Sequence, residues 1–314
     1  MYYPYFRGKQ FELITIREMA KLLAEKEFIP LIEPVRESLG GLKKTLSAVS
    51  DAGGRAIVIV NPYHGDHQED GASISGLLQE NFENVDNISA GILLRSDMTV
   101  DTAMACYDQH VDHHPVLIHA GFTAPKALAV ELKGDIPSLA NIFIEDHANT
   151  LYRKHFEGST RILVRDGFKR RKNSEFAKIP IEEFSELHLT FQSDLGMNGF
   201  GDFLTVGDVY SDGGGPAYAV AIHLTFIDPA ADEVMYIYHF VSTTNDTPTD
   251  PAGKFAQALA KLIIMLDSGT SHILETEAIK EFRDLHAKGH FPGLGYVKKL
   301  SMKHHIETLA AYLD

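Results

Sequence analysis

Ionisable side chains that can bind metals or anions lie at or near the ends of short apolar runs along this chain. His119 and His223 are the predicted metal ligands, and the predicted catalytic carboxylates are Glu33, Glu145 and Asp202. The carboxyl ends of barrel strands meet at one face, so Glu33, His119, Glu145 and His223 are expected to point into one cavity. Imidazole and carboxylate ligands from separate strands suit Zn, Mn or Fe and leave positions open for water or substrate. Such a metal lowers the pKa of its bound water, so this set predicts hydrolysis at neutral pH.

A second set of residues could hold an anionic ligand. It comprises Lys9, Arg95, Arg165, Gly213 and Gly214. The two arginines end apolar runs, and the two glycines belong to a Gly- and Asp-rich segment, residues 196–217, where backbone N–H groups can approach a phosphate. Its aspartates would repel phosphate unless a cation intervened, and no GxxxxGK[ST] or GxGxxG pattern opens a helix there. A flexible or partner-binding loop is therefore the other interpretation of this segment.

The polar residues at the ends of the runs also fit a purely structural interpretation. Strands end where the chain meets water, so Glu33, Arg95, Glu145 and Arg165 could form a ring of ion pairs. The compact ligand motifs HExxH, HxH and CxxC do not occur in the sequence. The residue types alone leave both interpretations open.

Histidine is unusually frequent, with 16 in the chain. His110, His113 and His114 precede a predicted strand, and His304 and His305 are assigned to the start of a predicted helix. All five are predicted to be solvent-exposed.

Eight apolar runs predict the strands that position the candidate residues. Continuous apolar runs of four to six residues are typical of parallel strands that are buried on both faces. Their starts lie about 20 to 34 residues apart, which leaves room for a helix in each gap and favours a closed TIM-like (β/α)8 barrel over an open sheet. The runs cover residues 28–33, 56–61, 90–95, 115–119, 141–145, 161–165, 186–191 and 218–226.

The pattern predicts a single α/β domain over residues 1–314, with the barrel at residues 28–242. Residues 1–27 are predicted to form an N-terminal helical segment, and residues 243–314 to form C-terminal helices. A turn at residues 227–233 joins two strand-like runs and predicts a hairpin. We therefore expect a barrel whose closing unit is decorated or which is imperfect, with a C-terminal hairpin and a helical extension.

Composition narrows the class of protein. The chain of 314 residues carries a formal net charge of −14, which argues against binding to nucleic acid. Its one cysteine, Cys106, cannot form an internal disulfide, which favours a reducing compartment. No apolar stretch is long enough for a signal peptide or a membrane span. We expect a cytoplasmic protein without membrane segments.

Three stretches together resemble one family. They are Tyr2-Tyr-Pro-Tyr-Phe-Arg-Gly-Lys-Gln-Phe-Glu12, Phe28-Ile-Pro-Leu-Ile-Glu-Pro34, and Gly201-Asp-Phe203 followed by Pro216-Ala-Tyr-Ala-Val-Ala-Ile-His-Leu-Thr225. In this order they resemble the bacterial and phage "beta protein" family, whose members open on a YxPxxxxKxxE-type motif. The resemblance implies a setting among mobile-element and antiviral genes, with a protein partner encoded nearby for which a nuclease is one candidate. It supplies no catalytic residues; the matched positions are Tyr3, Pro4, Lys9, Glu12, Glu33, Asp202 and His223.

Two hypotheses about function follow. In the first, the chain is the barrel component of a two-gene antiviral or mobile-element defence cassette and acts through its partner or a bound phage-derived ligand. In the second, it is a metal-dependent hydrolase of a phosphorylated or nucleotide-like small molecule. The sequence does not decide whether the protein is an enzyme.

Overall fold

Eight parallel strands close into a barrel in the computed structural model, which describes residues 1–83 and 85–313. Strands are numbered here in chain order. The barrel strands are β1 (Tyr2–Phe6), β2 (Leu31–Ile32), β3 (Ala56–Ile59), β4 (Ile88–Arg95), β5 (Val116–Ala120), β6 (Ala140–Ile144), β7 (Thr160–Arg165) and β9 (Gly199–Asp202). Each pairs in parallel with the next, and β9 closes the ring between β7 and β1. The predicted TIM-like barrel is confirmed.

The first and last barrel strands differ from those predicted. Six of the eight apolar runs form barrel strands, but the run at 186–191 forms a short helix and the run at 218–226 enters a separate sheet. The barrel strands therefore lie between residues 2 and 202 rather than between 28 and 242. Both missed strands lack an aliphatic run, since β1 reads YYPYF and β9 reads GFGD.

Glycines allow β9 to close the barrel against β1. A Cβ on Gly201 would lie 2.1 Å from the carbonyl oxygen of Tyr3, and a Cβ on Gly199 would lie 2.8 Å from the Tyr3 ring. Any larger residue at either position would push the two strands apart. The glycines that make β9 look like a loop in the sequence are therefore what allows it to pair closely with β1 and close the barrel.

Alternation along the strands decides which side chains enter the barrel. A Cβ on Gly91 would contact the side chains of Ile57, Ile59 and Ile118, so these positions point into the interior. Residues paired in register lie on the same face, and neighbours along a strand lie on opposite faces. His119, next to Ile118, therefore points out of the barrel.

Helices follow most of the barrel strands, as the run spacing predicts. They are α1 (Gln10–Glu25), α2 (Gly40–Asp51), α3 (Ala72–Phe82), α4 (Val100–Gln109), α5 (Pro125–Glu131), α6 (Thr150–Lys154) and α7 (Leu187–Thr190). The first buries Leu13, Ile16, Met19 and Leu23, an apolar stripe at helical spacing. Helices α5 and α6 are only seven and five residues long.

The chain divides into two compact units. One comprises Met1–Arg165 with Leu187–Asp202 and contains the barrel; the other comprises Asp166–Glu186 with Phe203–Asp314. The second unit holds an antiparallel sheet in the order β10 (Ala221–Ile227), β11 (Met235–Val241), β8 (Ile181–Ser185), together with α8 (Pro251–Asp267), α9 (Glu277–Lys288) and α10 (Leu294–Tyr312). The predicted hairpin and C-terminal helices are present. The expectation of a single domain over 1–314 stays a prediction.

Four histidines predicted to be exposed are buried. His304 and His305 are fully buried within α10, and His110 and His113 are also buried. The Nδ1 of His304 lies 2.8 Å from the Thr276 hydroxyl, and its Nε2 lies 2.8 Å from the Thr225 carbonyl oxygen. Because both ring nitrogens of His304 find partners, this histidine serves as interior packing.

Among the described residues, no helix combines the length and the apolar character that crossing a membrane requires.

The Gly201 seam gives a first prediction. We expect Gly201→Ala to lower the free energy of unfolding by about 1–3 kcal/mol, the usual cost of overpacking, because the new Cβ meets backbone that cannot move aside. Urea denaturation of the variant and of the unaltered protein measures this loss in the free energy of unfolding. The matched control is Gly134→Ala, where a Cβ meets nothing within 4 Å, and equal losses in the two variants would contradict the proposed packing.

Candidate functional site

A buried carboxylate organises one sector at the carboxyl ends of the barrel strands. Glu33, just after β2, is completely buried. Its Oε2 accepts hydrogen bonds from the Tyr5 hydroxyl at 2.9 Å and from the Arg7 guanidinium. Its Oε1 accepts from the backbone N–H groups of Tyr63 at 2.9 Å and His64 at 3.0 Å. One side chain thus fixes the segments that follow β1, β2 and β3.

The donors around Glu33 keep it ionised. Burial by itself raises the pKa of a carboxyl, but the hydrogen bond from His64 and the charge of Arg7 outweigh burial and lower the pKa of Glu33 to about 2. A carboxylate in this state does not donate a proton at neutral pH. Glu33, one of the predicted catalytic carboxylates, is placed to hold its neighbours in position.

Arg95 and Tyr63 lie next to this cluster. The Arg95 guanidinium, at the end of β4, donates to the carboxylate of Asp97 at 3.1 and 3.3 Å and to the carbonyl oxygen of Pro62 at 3.3 Å. Its carbon lies 5.8 Å from the centre of the Tyr63 ring, within cation–π range. The Tyr63 side chain is 58% exposed. An exposed aromatic ring beside a fixed guanidinium can receive a planar or anionic ligand.

Glu145 and Arg165 form an ion pair of the kind that the structural interpretation expects. Glu145 lies in the turn after β6, and Arg165 ends β7. The guanidinium donates to both carboxylate oxygens, at 2.5 and 2.9 Å, and both side chains are about a quarter exposed. Each candidate residue therefore has the other as a partner.

Asp202 lies in a strand, although the sequence places it on a closing loop. It ends β9, is buried, and accepts a hydrogen bond of 2.7 Å from the hydroxyl of Tyr2. Burial, together with the charge of Asp202, raises the pKa of Tyr2 well above its ordinary value, so the tyrosine keeps its proton. This contact joins β1 to β9 at the seam of the barrel.

His119 is directed away from the barrel interior. It stacks on Phe143, with ring centres 4.6 Å apart, and its Nδ1 lies 2.8 Å from the hydroxyl of Tyr152 in α6. Its Nε2 lies 2.9 Å from the side-chain oxygen of Asn141. Burial lowers the pKa of His119 to about 4, so the imidazole is neutral at pH 7.

The expectation that Glu33, His119, Glu145 and His223 share one cavity is wrong. Glu33 and His119 occupy opposite faces of the barrel sheet, and His223 lies on β10, which is not a barrel strand. Among the residues that the structure describes, no group of three or more His, Cys, Asp or Glu side chains is arranged to hold a metal ion. The predicted Zn, Mn or Fe stays a prediction, which metal analysis of the purified protein can test.

The remaining anion candidates are Lys9, Gly213 and Gly214. Lys9 is the residue before α1, and its charge opposes the rise in the pKa of Glu12 that burial causes. Gly213 and Gly214 are exposed, and a Cβ on either would contact nothing within 4 Å. No close backbone approach therefore explains these two glycines.

Four residues of the Glu33 cluster were not selected from the sequence. They are Tyr5, Arg7, Tyr63 and His64. Tyr5 lies in β1 and Arg7 directly follows it, two positions further on, so both could have been found had YYPYF been taken as a strand. Tyr63 contributes its backbone N–H group, for which sequence carries no signal. His64 contributes its backbone N–H and also its ring, whose Nδ1 lies 3.3 Å from the Oε1 of Glu33.

Comparison with known proteins does not place the chain in a family. No protein-family model matches it, and no curated protein is a significant match. Among solved structures it is similar to the enoyl reductase domain of MlnA from the macrolactin biosynthesis cluster of Bacillus amyloliquefaciens, with a TM-score of 0.30 and 7% identity. That alignment covers 99% of this chain and 80% of the other. A similarity this low carries no argument about function.

The buried Glu33 cluster gives a second prediction. We expect Glu33→Gln to lower the free energy of unfolding by about 3–5 kcal/mol, because the buried Arg7 loses its counter-charge. Glu145→Gln breaks a part-exposed ion pair and should cost about 1 kcal/mol or less. Denaturant unfolding of both variants measures the difference, and equal losses would contradict the role assigned to Glu33.

Buried histidines give a prediction about pH. Burial lowers the pKa of His119 and of His304 from 6.5 to about 4. Between these values the unfolded chain binds more protons than the folded chain, so stability falls as the pH falls. We expect each histidine to cost about 2 kcal/mol between pH 7 and pH 5. Glu12 and Glu307, whose pKa burial raises, offset part of the loss.

Urea unfolding at pH 7 and pH 5 tests this. His119→Gln keeps hydrogen-bonding capacity but cannot titrate, so its stability should fall less between the two pH values than that of the unaltered protein. Equal losses in the two proteins would show that His119 does not carry the effect.

Proposed function

We propose that this chain is the ligand-binding barrel component of a two-gene bacterial antiviral or mobile-element defence cassette. In this proposal the barrel mouth binds a small phosphorylated, nucleotide-like molecule of phage origin. The loaded barrel then acts through a protein partner encoded nearby. The paired Arg95 and Tyr63 beside the Glu33 cluster are the observation that carries the proposal.

The mouth has the chemistry that such a ligand needs. The Tyr63 ring is exposed and can stack on a planar base, and the Arg95 guanidinium supplies positive charge beside it. The Glu33 carboxylate holds the Tyr63 backbone in place, so the ring is presented by a fixed segment. Binding energy is then not spent on ordering a mobile loop.

A binding role also agrees with the state of the candidate catalytic residues. Glu33 is ionised, and both of its carboxylate oxygens accept hydrogen bonds. Glu145 forms an ion pair with Arg165, and Asp202 accepts a hydrogen bond from the hydroxyl of Tyr2. Each carboxylate therefore has a partner that holds the structure together. The defence setting and the partner rest on the resemblance of the three sequence stretches to the beta protein family.

Titration calorimetry with AMP and with inorganic phosphate tests the ligand. We expect saturable binding of AMP and weaker binding of phosphate alone, because phosphate cannot stack on Tyr63. Loss of a charge-assisted contact costs about 1.5–3 kcal/mol, so Arg95→Gln should weaken AMP binding roughly 10-fold to 100-fold. Tyr63→Ala should weaken AMP binding but leave phosphate binding unchanged.

Arg283→Gln is the matched control, because Arg283, like Arg95, is a partly exposed arginine held by carboxylate, here Glu275 and Asp267, but it lies on α9. It should bind AMP like the unaltered protein. No saturable AMP binding, or equal weakening by Arg283→Gln and Arg95→Gln, would contradict the ligand site. Separate elution of the chain and the product of its neighbouring gene after co-expression, at micromolar concentration, would contradict the partner.

A further inference from the structure

A line of three hydrogen-bonded side chains crosses the antiparallel sheet of the second unit. His223 on β10 and His239 on β11 are directly opposite in register, and their Nδ1 atoms lie 2.7 Å apart. The Nε2 of His239 lies 3.1 Å from the Oε1 of Glu182 on β8. Each of the three strands thus contributes one polar group to a continuous hydrogen-bonded line.

The far end of this line is anionic. The Glu182 carboxylate accepts hydrogen bonds from the Arg171 guanidinium, one of them at 3.0 Å to Oε2, and the Lys169 ammonium lies 3.6 Å from that oxygen. Burial raises the pKa of Glu182, but the contacts from Arg171 and His239 outweigh it and leave the pKa below its ordinary value. Glu182 is therefore an acceptor only.

An anionic Glu182 fixes the protons on both imidazoles. Burial lowers the pKa of His239 to about 4 and that of His223 well below its ordinary value, so both rings are neutral at pH 7. A neutral imidazole has one donor and one acceptor nitrogen. The Nε2–H of His239 donates to Glu182, so its Nδ1 must accept from the Nδ1–H of His223. The lone pair of His223 is then on Nε2.

The Nε2 of His223 is the end of this line opposite Glu182. No described residue makes a hydrogen bond with this nitrogen, and the side chain is part-exposed. The rings of Phe168 and Phe176 stand edge-on to the imidazole, with centres 5.0 and 4.8 Å away. The positive charge of Lys298 acts on His223 and disfavours a second cation there.

We propose that the Nε2 of His223 is a hydrogen-bond-accepting site for a small uncharged molecule that carries a hydroxyl or N–H group on an apolar body. Glu182 and His239 are its positioning residues, because they hold the acceptor lone pair outward. Phe168 and Phe176 contact the apolar part of the ligand. This site is independent of the ligand proposed for the barrel mouth.

NMR spectroscopy of protein labelled with 15N-histidine tests the proton positions at pH 7. We expect His223 to carry its proton on Nδ1 and His239 to carry its proton on Nε2. The exposed His290 is the internal reference and should show the tautomer mixture of a solvated histidine, whereas His272, whose Nε2 lies 3.8 Å from Asp228, serves as the site of a control variant. A proton on the Nε2 of His223 would overturn the proposal.

Phenol and anisole are the matched ligand probes, because phenol has a hydroxyl donor and anisole has a methoxy group, which cannot donate, in its place. Phenol should shift the Nε2 resonance of His223 saturably, and anisole should not. Equal shifts from the two would overturn the acceptor role. In Glu182→Gln, His223 should lose its single tautomer and bind phenol several-fold more weakly. The control His272→Gln should leave the tautomer of His223 and its affinity for phenol unchanged. The tautomers of the unaltered protein decide the proposal even if Glu182→Gln does not fold.

Discussion

The ionised carboxylate of Glu33, enclosed without contact with water, is the constraint on which the mouth of the barrel depends. A buried charge is tolerated only where charged and polar donors surround it, and here a guanidinium, a hydroxyl and two backbone N–H groups do so. Meeting that requirement fixes the chain after three consecutive strands. The hydrogen bonds to Glu33 thereby position the exposed ring of Tyr63 and the neighbouring Arg95.

The same requirement explains why polar residues at strand ends are ambiguous in sequence. Glu145, Arg165 and Asp202 have the residue types of a catalytic or metal site, yet each is engaged in a contact that joins strands or turns. Interior charges need partners whether or not they do chemistry. The geometry therefore favours binding at the mouth, where the available groups are an aromatic ring and a held arginine.

Histidine has several structural uses in this protein. His119 and His304 are neutral hydrogen-bonding residues of the interior, whereas His223 and His239 form a directional line that ends at a carboxylate. The difference lies in the neighbours. In the line, the acceptor Glu182 fixes the tautomers of two histidines in turn and so leaves a defined lone pair on His223 at the other end.

The sequence by itself determined the barrel class, six of its strands, the terminal hairpin and the C-terminal helices, because burial on both faces leaves aliphatic runs at regular intervals. It did not determine the closing strands, since YYPYF and GFGD lack such runs and are strands only because they fit each other. Nor did it place His119, because a shift of one residue reverses the face of a strand, or His223, because its apolar run joins a separate antiparallel sheet. Which polar groups come into contact was decided by the tertiary structure, because the number of residues between two side chains does not determine the distance between them in the fold.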